Sequence, residues 1–144
     1  MKILAKRMRE LRKSRNLSQK QAAEEIGIKS DDYKNYELEK ANPKIPTLVT
    51  IAKFYGVSIN FLLGIDEQKI RYFDKECNIS FAENLRRIRN EHQLSLEKLA
   101  NGVGISRRMV SYYEQGKKVP TLKTLIKIAN FLEISIDEIV GDIC

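Results

Sequence analysis

Apolar residues recur along the chain at steps of three and four, the spacing that places them on one face of an α-helix. Near the N-terminus these residues are Leu4, Met8 and Leu11, and an equivalent set begins at Phe81 and continues to Ile88. No segment shows the strict alternation of apolar and polar residues that marks a half-buried strand. The pattern therefore predicts an all-α chain.

The helical pattern occurs twice, because the sequence aligns with itself without a gap when it is shifted by 77 residues. Residues 5–64 then lie over residues 82–141, and roughly 20 of those 60 positions are identical. The shared positions include glycine, proline and tyrosine residues, which chance does not place so consistently. The sequence therefore predicts one small domain in two copies, at residues 1–64 and 81–144, joined by a linker at residues 65–80.

Each copy is predicted to form five short helices whose ends carry local signals. Capping boxes that begin at Ser18 and at Ser80 mark helix N-termini. The second helix of each copy stops at Gly27 or Gly104, because glycine adopts the left-handed backbone that a tight turn requires. The third helices are predicted at 30–38 and 107–115, the fourth at 46–55 and 121–132, and short fifth helices after Ser58 and Ser135.

Two further expectations concern packing and strain. A unit of about 60 residues has a marginal core, so each copy is expected to bury nearly every leucine, isoleucine and valine. Glu39 stands where the second copy has Gly116, and a left-handed backbone there would cost glutamate roughly 1–2 kcal/mol. The linker contains no glycine or proline and is predicted to be helical, with one face docked on the protein's own domains. That face comprises Ile70, Phe73 and Cys77.

Composition narrows the function classes. The formal charge of +7 and the pI near 9.4 favour an anionic partner, with nucleic acid first and a membrane surface second. Cys77 and Cys144 lie far apart without metal spacing, which fits a reducing cytosol. No signal peptide, membrane span or catalytic constellation is evident. We therefore expect a cytoplasmic protein that is not an enzyme and has neither a cofactor nor a metal.

A small residue and a glycine recur at a spacing of four, as Ala23-x3-Gly27 and Ala100-x3-Gly104. The alanine lets the third helix cross close to the second, and the glycine makes the turn between them. Apolar residues further on, Tyr33 or Val110 and then Tyr36 or Tyr113, are expected to pin the third helix to the core. This arrangement is the geometry of a helix-turn-helix.

The wider sequence resembles a lambda-repressor/Cro-type helix-turn-helix domain of the XRE family. The second copy carries the resemblance in LRRIRNEHQLSLEKLANGVGISRRMVSYYEQGKKVPTLKTLIKIANFLEISIDEIVG, and the first in MRELRKSRNLSQKQAAEEIGI and YELEKANPKIPTLVTIAKFYGVSINFLLG. It covers both copies apart from the linker and the ends. The resemblance implies two tandem five-helix domains that bind a specific sequence of duplex DNA, with each third helix in the major groove.

The resemblance also assigns roles to individual residues. The base-reading positions fall on Arg107, Arg108 and Tyr112 in the second copy and on Ser30, Asp31 and Asn35 in the first. Gln19 takes the phosphate-contacting position, where the second copy has Leu96, which cannot donate a hydrogen bond. Further DNA contacts are expected at Ser106, Ser111, Lys117, Lys118 and Lys34. Internal ion pairs near the DNA backbone are expected between Arg12 and Glu37 and between Arg89 and Glu114.

The two copies differ in charge. Asp31 and Asp32 of the first copy suit the positive end of a helix dipole, yet each carboxylate would cost about 1 kcal/mol against a phosphate. An aspartate can still accept a hydrogen bond from cytosine N4. Residues 1–64 carry 13 basic and 7 acidic side chains, whereas residues 81–144 carry 10 and 8. The basic side chains near the first helix are Lys6, Arg7, Arg9, Arg12, Lys13 and Arg15.

Two interpretations of the duplication remain open. In the first, both copies bind adjacent half-sites about 34 Å apart, and the 16-residue linker reaches roughly 53 Å when extended or about 24 Å when helical. Alternatively, the second copy reads DNA while the first pairs with another protein or with its own twin.

The leading hypothesis is a bacterial or phage transcriptional regulator, a repressor acting on double-stranded DNA at the nucleoid as a homodimer or a pseudo-dimer. The alternative is a protein-interaction adaptor, an antirepressor or an antitoxin-like partner, in which the first domain mediates dimerisation or partner binding. RNA binding is a weaker third hypothesis, since Tyr112 is the one evident exposed aromatic residue.

Overall fold

The computed structural model describes residues 1–67 and 80–140, and every regular element within these ranges is an α-helix. The helices form two compact units of five each, as the sequence predicts. The apolar linker face of Ile70, Phe73 and Cys77 lies outside the described residues, and so does most of the linker. The domain boundaries proposed at residues 64 and 81 therefore stay a prediction.

The first unit contains the helices α1 to α5, and the second contains α6 to α10. The helices of the first unit are α1 (Lys2–Ser14), α2 (Gln19–Ile26), α3 (Ser30–Glu37), α4 (Ile45–Tyr55) and α5 (Ile59–Leu63). Those of the second unit are α6 (Phe81–Glu91), α7 (Leu96–Val103), α8 (Arg107–Glu114), α9 (Leu122–Leu132) and α10 (Ile136–Ile139). The third helix of each unit ends one residue before its predicted end, and α4 and α9 begin within one residue of their predicted starts.

The predicted capping signals form in the structure. Both capping boxes are complete, because the Ser18 and Ser80 side chains accept from backbone N–H groups and the residues three further on bond back. Ser58 and Ser135 likewise cap α5 and α10. Such a cap stabilises a helix by about 1 kcal/mol, because it satisfies backbone donors that have no partner within the helix.

The third helix of each unit packs on its neighbours through an apolar inner face. Val110 and Tyr113 are buried in the second unit, and Tyr33 is fully buried in the first. Tyr36 is only half-buried, so its prediction as a core residue is wrong. Tyr33 takes the central place instead, because its hydroxyl lies 2.7 Å from the Tyr55 hydroxyl and the two satisfy each other inside the core.

A few aliphatic residues escape burial, contrary to the expectation from chain length. The exposed fractions are 48% for Ile3, 45% for Leu38, 47% for Ile65 and 58% for Val119. All four lie in the first turn of a helix, just after a helix or in a loop, where the backbone carries the side chain away from the packed face. The expectation holds for the helix interiors, whose aliphatic residues form the two cores.

Each unit places a glutamate in left-handed backbone where the other unit has a glycine. Glu39 has φ of 62° and its counterpart Gly116 has 71°, whereas Glu133 has 54° and its counterpart Gly56 has 65°. The conditional prediction for Glu39 is therefore met, because its position does require a left-handed backbone. Glycine lacks the Cβ that crowds the following carbonyl in this conformation, so the glutamate is strained and the glycine is not.

We expect Glu39→Gly to stabilise the first unit by about 1 kcal/mol, because it removes left-handed strain. Glu39→Ala is the matched control, since it removes the same side chain but keeps the strain. Hydrogen exchange of amides in α1 to α4 measures the change within this unit. Equal protection in the two variants would contradict the assignment of strain to the backbone.

Candidate nucleic-acid interface

The helix-turn-helix of the second unit consists of α7, a glycine corner and α8. The Gly104 N–H donates to the Ala100 carbonyl at 2.9 Å, and the left-handed φ of 81° at Gly104 turns the chain. Ser106 then caps α8, because its side chain accepts from the Met109 N–H at 3.1 Å. With Val110 buried on the inner face, the first turn of α8 projects its side chains into solvent.

Four of the predicted DNA-contacting residues come together around one phenol ring, and we call them the Tyr112 cluster: Arg108, Tyr112, Lys117 and Lys118. The Arg108 Nε donates to the Tyr112 hydroxyl at 2.7 Å, and the guanidinium carbon lies 5.4 Å from the ring centroid. The ammonium groups of Lys117 and Lys118 lie 5.7 and 5.5 Å from the same centroid. These distances fall within the range of cation–π attraction.

The surface around the Tyr112 cluster is positive without compensation. Arg107, Arg108, Lys117 and Lys118 are exposed, and none of them forms an ion pair within residues 1–67 and 80–140. The single acid on α8, Glu114, is buried. Four unpaired cations on one helix and its following loop create a field that attracts an anionic partner.

Glu114 is held by two arginines of α6. The Arg89 Nε and Nη2 atoms contact the two carboxylate oxygens at 2.5 and 3.1 Å, and Arg89 Nη1 donates to the Leu94 carbonyl at 2.7 Å. Arg86 adds a longer ion pair, with its Nε 3.7 Å from the second oxygen. The expected pair of Arg89 and Glu114 thus forms and fixes α8 against α6.

The first unit builds the same pair with a different third member. Arg12 contacts both Glu37 oxygens at 2.6 and 3.0 Å and donates from Nη1 to the Leu17 carbonyl at 2.9 Å. The Gln19 side-chain amide donates to Glu37 Oε2 at 2.8 Å. Gln19 therefore uses one donor internally, at the position where the resemblance assigns a phosphate contact.

Arg9 and Arg86 have a structural role that the sequence reasoning did not assign. The Arg9 Nη2 donates to the Glu37 carbonyl at 2.9 Å, and the Arg86 Nη2 reaches the Glu114 carbonyl at 3.4 Å. Each arginine thus holds the C-terminal end of a third helix. The sequence did indicate this role, because both copies have an arginine at this position, one helical turn before the arginine of the ion pair.

Burial and hydrogen bonding compete at Glu37. Burial alone favours the neutral acid, but the hydrogen bonds from Arg12 and Gln19 and the charge of Arg12 outweigh it, so the pKa of Glu37 is lowered. Beside this carboxylate, burial and the hydrogen bond to Tyr55 raise the pKa of Tyr33 well above its ordinary value. The first unit therefore holds a charged carboxylate next to two neutral phenols in its interior.

The corresponding helix α3 of the first unit presents a different surface. Ser30, Asp31 and Lys34 are exposed and Asn35 is half-exposed. No side chain caps this helix, and Asp31 and Asp32 occupy its first turn, where carboxylates interact favourably with the helix dipole. These positions carry no arginine, so the surface lacks the positive field of α8.

The formal charge of the first unit overstates its positive surface. The Arg7 guanidinium lies over the Phe61 ring and bonds the Phe61 carbonyl and the Glu67 carboxylate. Arg15 donates to the Phe54 carbonyl at 2.8 Å, and Arg12 is held by Glu37. Four of the six basic side chains near α1 thus make internal hydrogen bonds, because Arg9 also donates to the Glu37 carbonyl. Less of this positive charge is therefore available to a DNA backbone than the residue count suggests.

The remaining predicted positions have local roles. Ser106 caps α8, and Ser111 accepts a hydrogen bond from Gln115 Nε2 at 2.9 Å.

Within the described ranges no three histidine, cysteine or acidic residues are grouped so that they could hold a metal ion. Over the same ranges, no helix has the length and apolar character needed to cross a membrane.

Two family models match the chain at separate places. The model described as a helix-turn-helix domain matches residues 5–65, and a second, described as helix-turn-helix, matches residues 85–139. These matches confirm the tandem helix-turn-helix arrangement that the repeat predicts.

Curated proteins with similar sequences are regulators. The chain is 32% identical to the HTH-type transcriptional regulator ImmR of Bacillus subtilis (strain 168), over 63% of the chain and 72% of ImmR. It is 40% identical to the uncharacterized HTH-type transcriptional regulator YobD of the same strain, over 45% of the chain and 58% of YobD. It is 37% identical to the cryptic phage CTXphi transcriptional repressor RstR of Vibrio cholerae, over 43% of the chain and 56% of RstR. The chain thus spans little more than half the length of YobD and RstR.

We expect Arg12→Ala to destabilise the first unit by about 3 kcal/mol or more, because it leaves Glu37 buried without its main counter-charge. Adding Glu37→Gln should recover part of this loss, since the buried charge is then gone. Urea denaturation combined with hydrogen exchange of α1 and α3 amides measures both variants. If Glu37→Gln destabilised the Arg12→Ala variant as much as it destabilises the unmodified protein, the two residues would not be coupled.

Acid should weaken the first unit through Glu37. A carboxyl whose folded pKa is depressed stabilises the fold above its unfolded pKa, near 4.3 for glutamate, and loses that contribution as pH falls through the folded pKa. We expect Glu37→Gln to remove this part of the acid sensitivity, and Gln19→Leu, which installs the residue of the second unit, to shift the loss to higher pH. Denaturation series from about pH 6 to about pH 3 test this, and an unchanged pH profile in Glu37→Gln would contradict it.

Proposed function

The chain belongs to the helix-turn-helix family of transcriptional regulators, and from this premise we propose that it binds a specific sequence of duplex DNA and represses transcription. The helix α8 lies in the major groove, and Arg107, Arg108 and Tyr112 belong to its DNA-facing surface. The glycine corner at Gly104 lets this helix project, and the buried pair of Arg89 and Glu114 holds its angle.

The uncompensated positive surface of α8 and its following loop carries this proposal. The major groove of B-DNA admits an α-helix, and guanine and adenine edges there present acceptors to arginine and amide side chains. Lys117 and Lys118 follow α8 and are exposed, so they reach phosphates on the rim of the groove while the helix contacts bases. Ser106, at the N-cap of α8, and Ser111, in its second turn, are further proposed contacts.

Repression by occlusion follows from the same interface. A protein seated in the major groove over a promoter blocks polymerase without any catalytic step, so the proposed function needs neither an active site nor a cofactor. RstR is named a phage transcriptional repressor, and its similarity supports this direction of regulation. A protein of this kind acts in the bacterial cytoplasm, where the DNA lies.

The second unit is the principal reader of DNA in this proposal. The equivalent helix α3 offers Ser30, Lys34 and Asn35 as polar contacts, and Asp31 as an acceptor for cytosine N4. It lacks the cluster of cations, and the Gln19 side-chain amide donates to Glu37. The first unit therefore contributes a weaker half-site of different sequence, which makes the chain a pseudo-dimer on DNA.

A second candidate role for the first unit is protein interaction, as a homodimer contact or a partner-binding surface. The observation that favours it is the exposed pair Asp31 and Asp32 at the place where a DNA-reading helix benefits from positive charge. Selection of bound duplexes from a random library by the full chain separates the two roles. Two half-sites at fixed spacing support the pseudo-dimer, and one half-site supports the interaction role.

We expect the double variant Arg107→Ala/Arg108→Ala to lose affinity for the selected duplex and to lose part of its salt dependence. Each phosphate contact removed should lower the slope of log affinity against log salt by about 0.9. The matched control is Ser30→Ala/Asp31→Ala, which changes the same two positions of the first unit. Binding is measured by fluorescence anisotropy of labelled duplex over a series of salt concentrations.

The proposal fails if the full chain selects no DNA sequence, or if Arg107→Ala/Arg108→Ala binds the selected duplex as tightly as the unmodified protein. It also fails if affinity is independent of salt, because four exposed cations cannot neutralise phosphates without releasing counterions. A larger loss in Ser30→Ala/Asp31→Ala would reverse the assignment and make the first unit the reader.

A further inference from the structure

Within the proposed DNA-binding function, on which this inference rests, we propose that Arg108 reads one guanine and that Tyr112 is the residue that positions it. The observation is the contact between the two side chains, one helical turn apart on α8. The Tyr112 hydroxyl accepts from the Arg108 Nε at 2.7 Å, so the guanidinium is fixed by its inner nitrogen.

The hydrogen bond at Nε leaves the two terminal nitrogens of the guanidinium available to bind acceptors. Arginine has five N–H donors in a planar fork, and the terminal Nη1 and Nη2 atoms can bind two acceptors side by side. In the described part of the chain, the Nε contact with Tyr112 is the hydrogen bond that Arg108 makes. Its terminal nitrogens therefore face solvent as a ready pair of parallel donors.

The loop after α8 lies beside the Tyr112 ring. The Tyr112 backbone carbonyl accepts from the Lys117 N–H at 2.9 Å, which ties this loop to the helix. The ammonium groups of Lys117 and Lys118 lie within 6 Å of its ring. A reading side chain that is supported by a second residue loses less conformational freedom on binding, and so gains both affinity and discrimination.

The two terminal donors of the Arg108 guanidinium favour guanine over adenine. Guanine presents O6 and N7 as adjacent acceptors in the major groove, and arginine binds them with both terminal nitrogens. Adenine presents one acceptor and one donor at the same place, which a guanidinium cannot match. Arg107 has no side-chain contact within the described residues, so it lacks this support and we assign it to a phosphate.

The first unit lacks the hydrogen-bonded pair of arginine and tyrosine. Asp31 and Asn35 occupy the positions of Arg108 and Tyr112, and an aspartate cannot donate to guanine. The guanine contact therefore belongs to the half-site of the second unit alone.

The test uses the full chain and its selected duplex, together with duplexes that change one base pair at a time. The variants are Arg108→Lys, Tyr112→Phe and the two combined. Arg108→Lys keeps the charge but replaces the fork by a single point of donation, and Tyr112→Phe keeps the ring but removes the hydroxyl. Arg107→Ala is the matched control on the preceding residue.

We expect Arg108→Lys to lose about tenfold or more of the discrimination at one G·C pair, while the salt slope stays unchanged. Tyr112→Phe should lose discrimination at the same pair, to a smaller extent, and should add nothing when combined with Arg108→Lys. Arg107→Ala should weaken binding to all duplexes by a similar factor. Thermal unfolding followed by circular dichroism checks that each variant is folded.

The inference fails if the unmodified protein selects a sequence but Arg108→Lys keeps its full preference at every G·C pair. The positioning role fails if Tyr112→Phe changes a different base pair, or adds its effect to that of Arg108→Lys, because Tyr112 would then read a base itself. Absence of any selected sequence would instead overturn the proposed function, so the two failures are distinguishable.

Discussion

A buried carboxylate at the end of the third helix stabilises each unit from within, and it does so in the same way in both. Glu37 is 1% exposed and Glu114 is 7% exposed, and a buried charge persists only where it is paired and hydrogen-bonded. Arg12 and Arg89 supply the pairing in equivalent geometry, but the additional partner is a hydrogen bond from Gln19 in one unit and a longer ion pair with Arg86 in the other. The fold requires that the buried carboxylate be paired and hydrogen-bonded, but it does not require one particular set of partners. The angle of the third helix follows from that requirement.

The buried ion pair fixes the third helix of each unit. Other positions of this helix differ between the two units, and they differ as contacting pairs of residues. Tyr33 and Tyr55 form a hydrogen-bonded pair in the first core, and the equivalent positions of the second core are apolar in both members, Val110 and Leu132. A lone tyrosine at either place would leave a hydroxyl buried without a partner. The outer face shows a similar linkage, since Arg108 and Tyr112 bond each other and both are replaced in the first unit. Both faces have therefore changed as contacting pairs, not as single residues.

Local signals were enough to predict the helices, their caps and the glycine corners, because each depends on a few neighbouring residues. The ion pairs were implied by the family resemblance, at residues that recur in both copies. The sequence did not show which arginines are available to a partner: Arg7 and Arg15 bond to backbone carbonyls 54 and 39 residues away, and no local pattern reports such acceptors. Tyr36 and Tyr33 were likewise indistinguishable as core residues, since they lie three positions apart on the same helix. The Arg108 contact with Tyr112 spans a single helical turn, so it was within reach of sequence reasoning.

The divergence of the two recognition surfaces bears on the symmetry of the proposed DNA site. Two identical units related by a two-fold axis read a palindrome, because each presents the same side chains to its half-site. Here the positions of Arg107, Arg108 and Tyr112 carry serine, aspartate and asparagine in the other unit, so the preferred bases of the two half-sites cannot be the same. Covalent linkage in one chain removes the need for symmetry that a homodimer imposes. In the proposed pseudo-dimer, duplication followed by divergence gives a single polypeptide a directional site, in which the half-site of the second unit sets the register and that of the first unit sets the orientation.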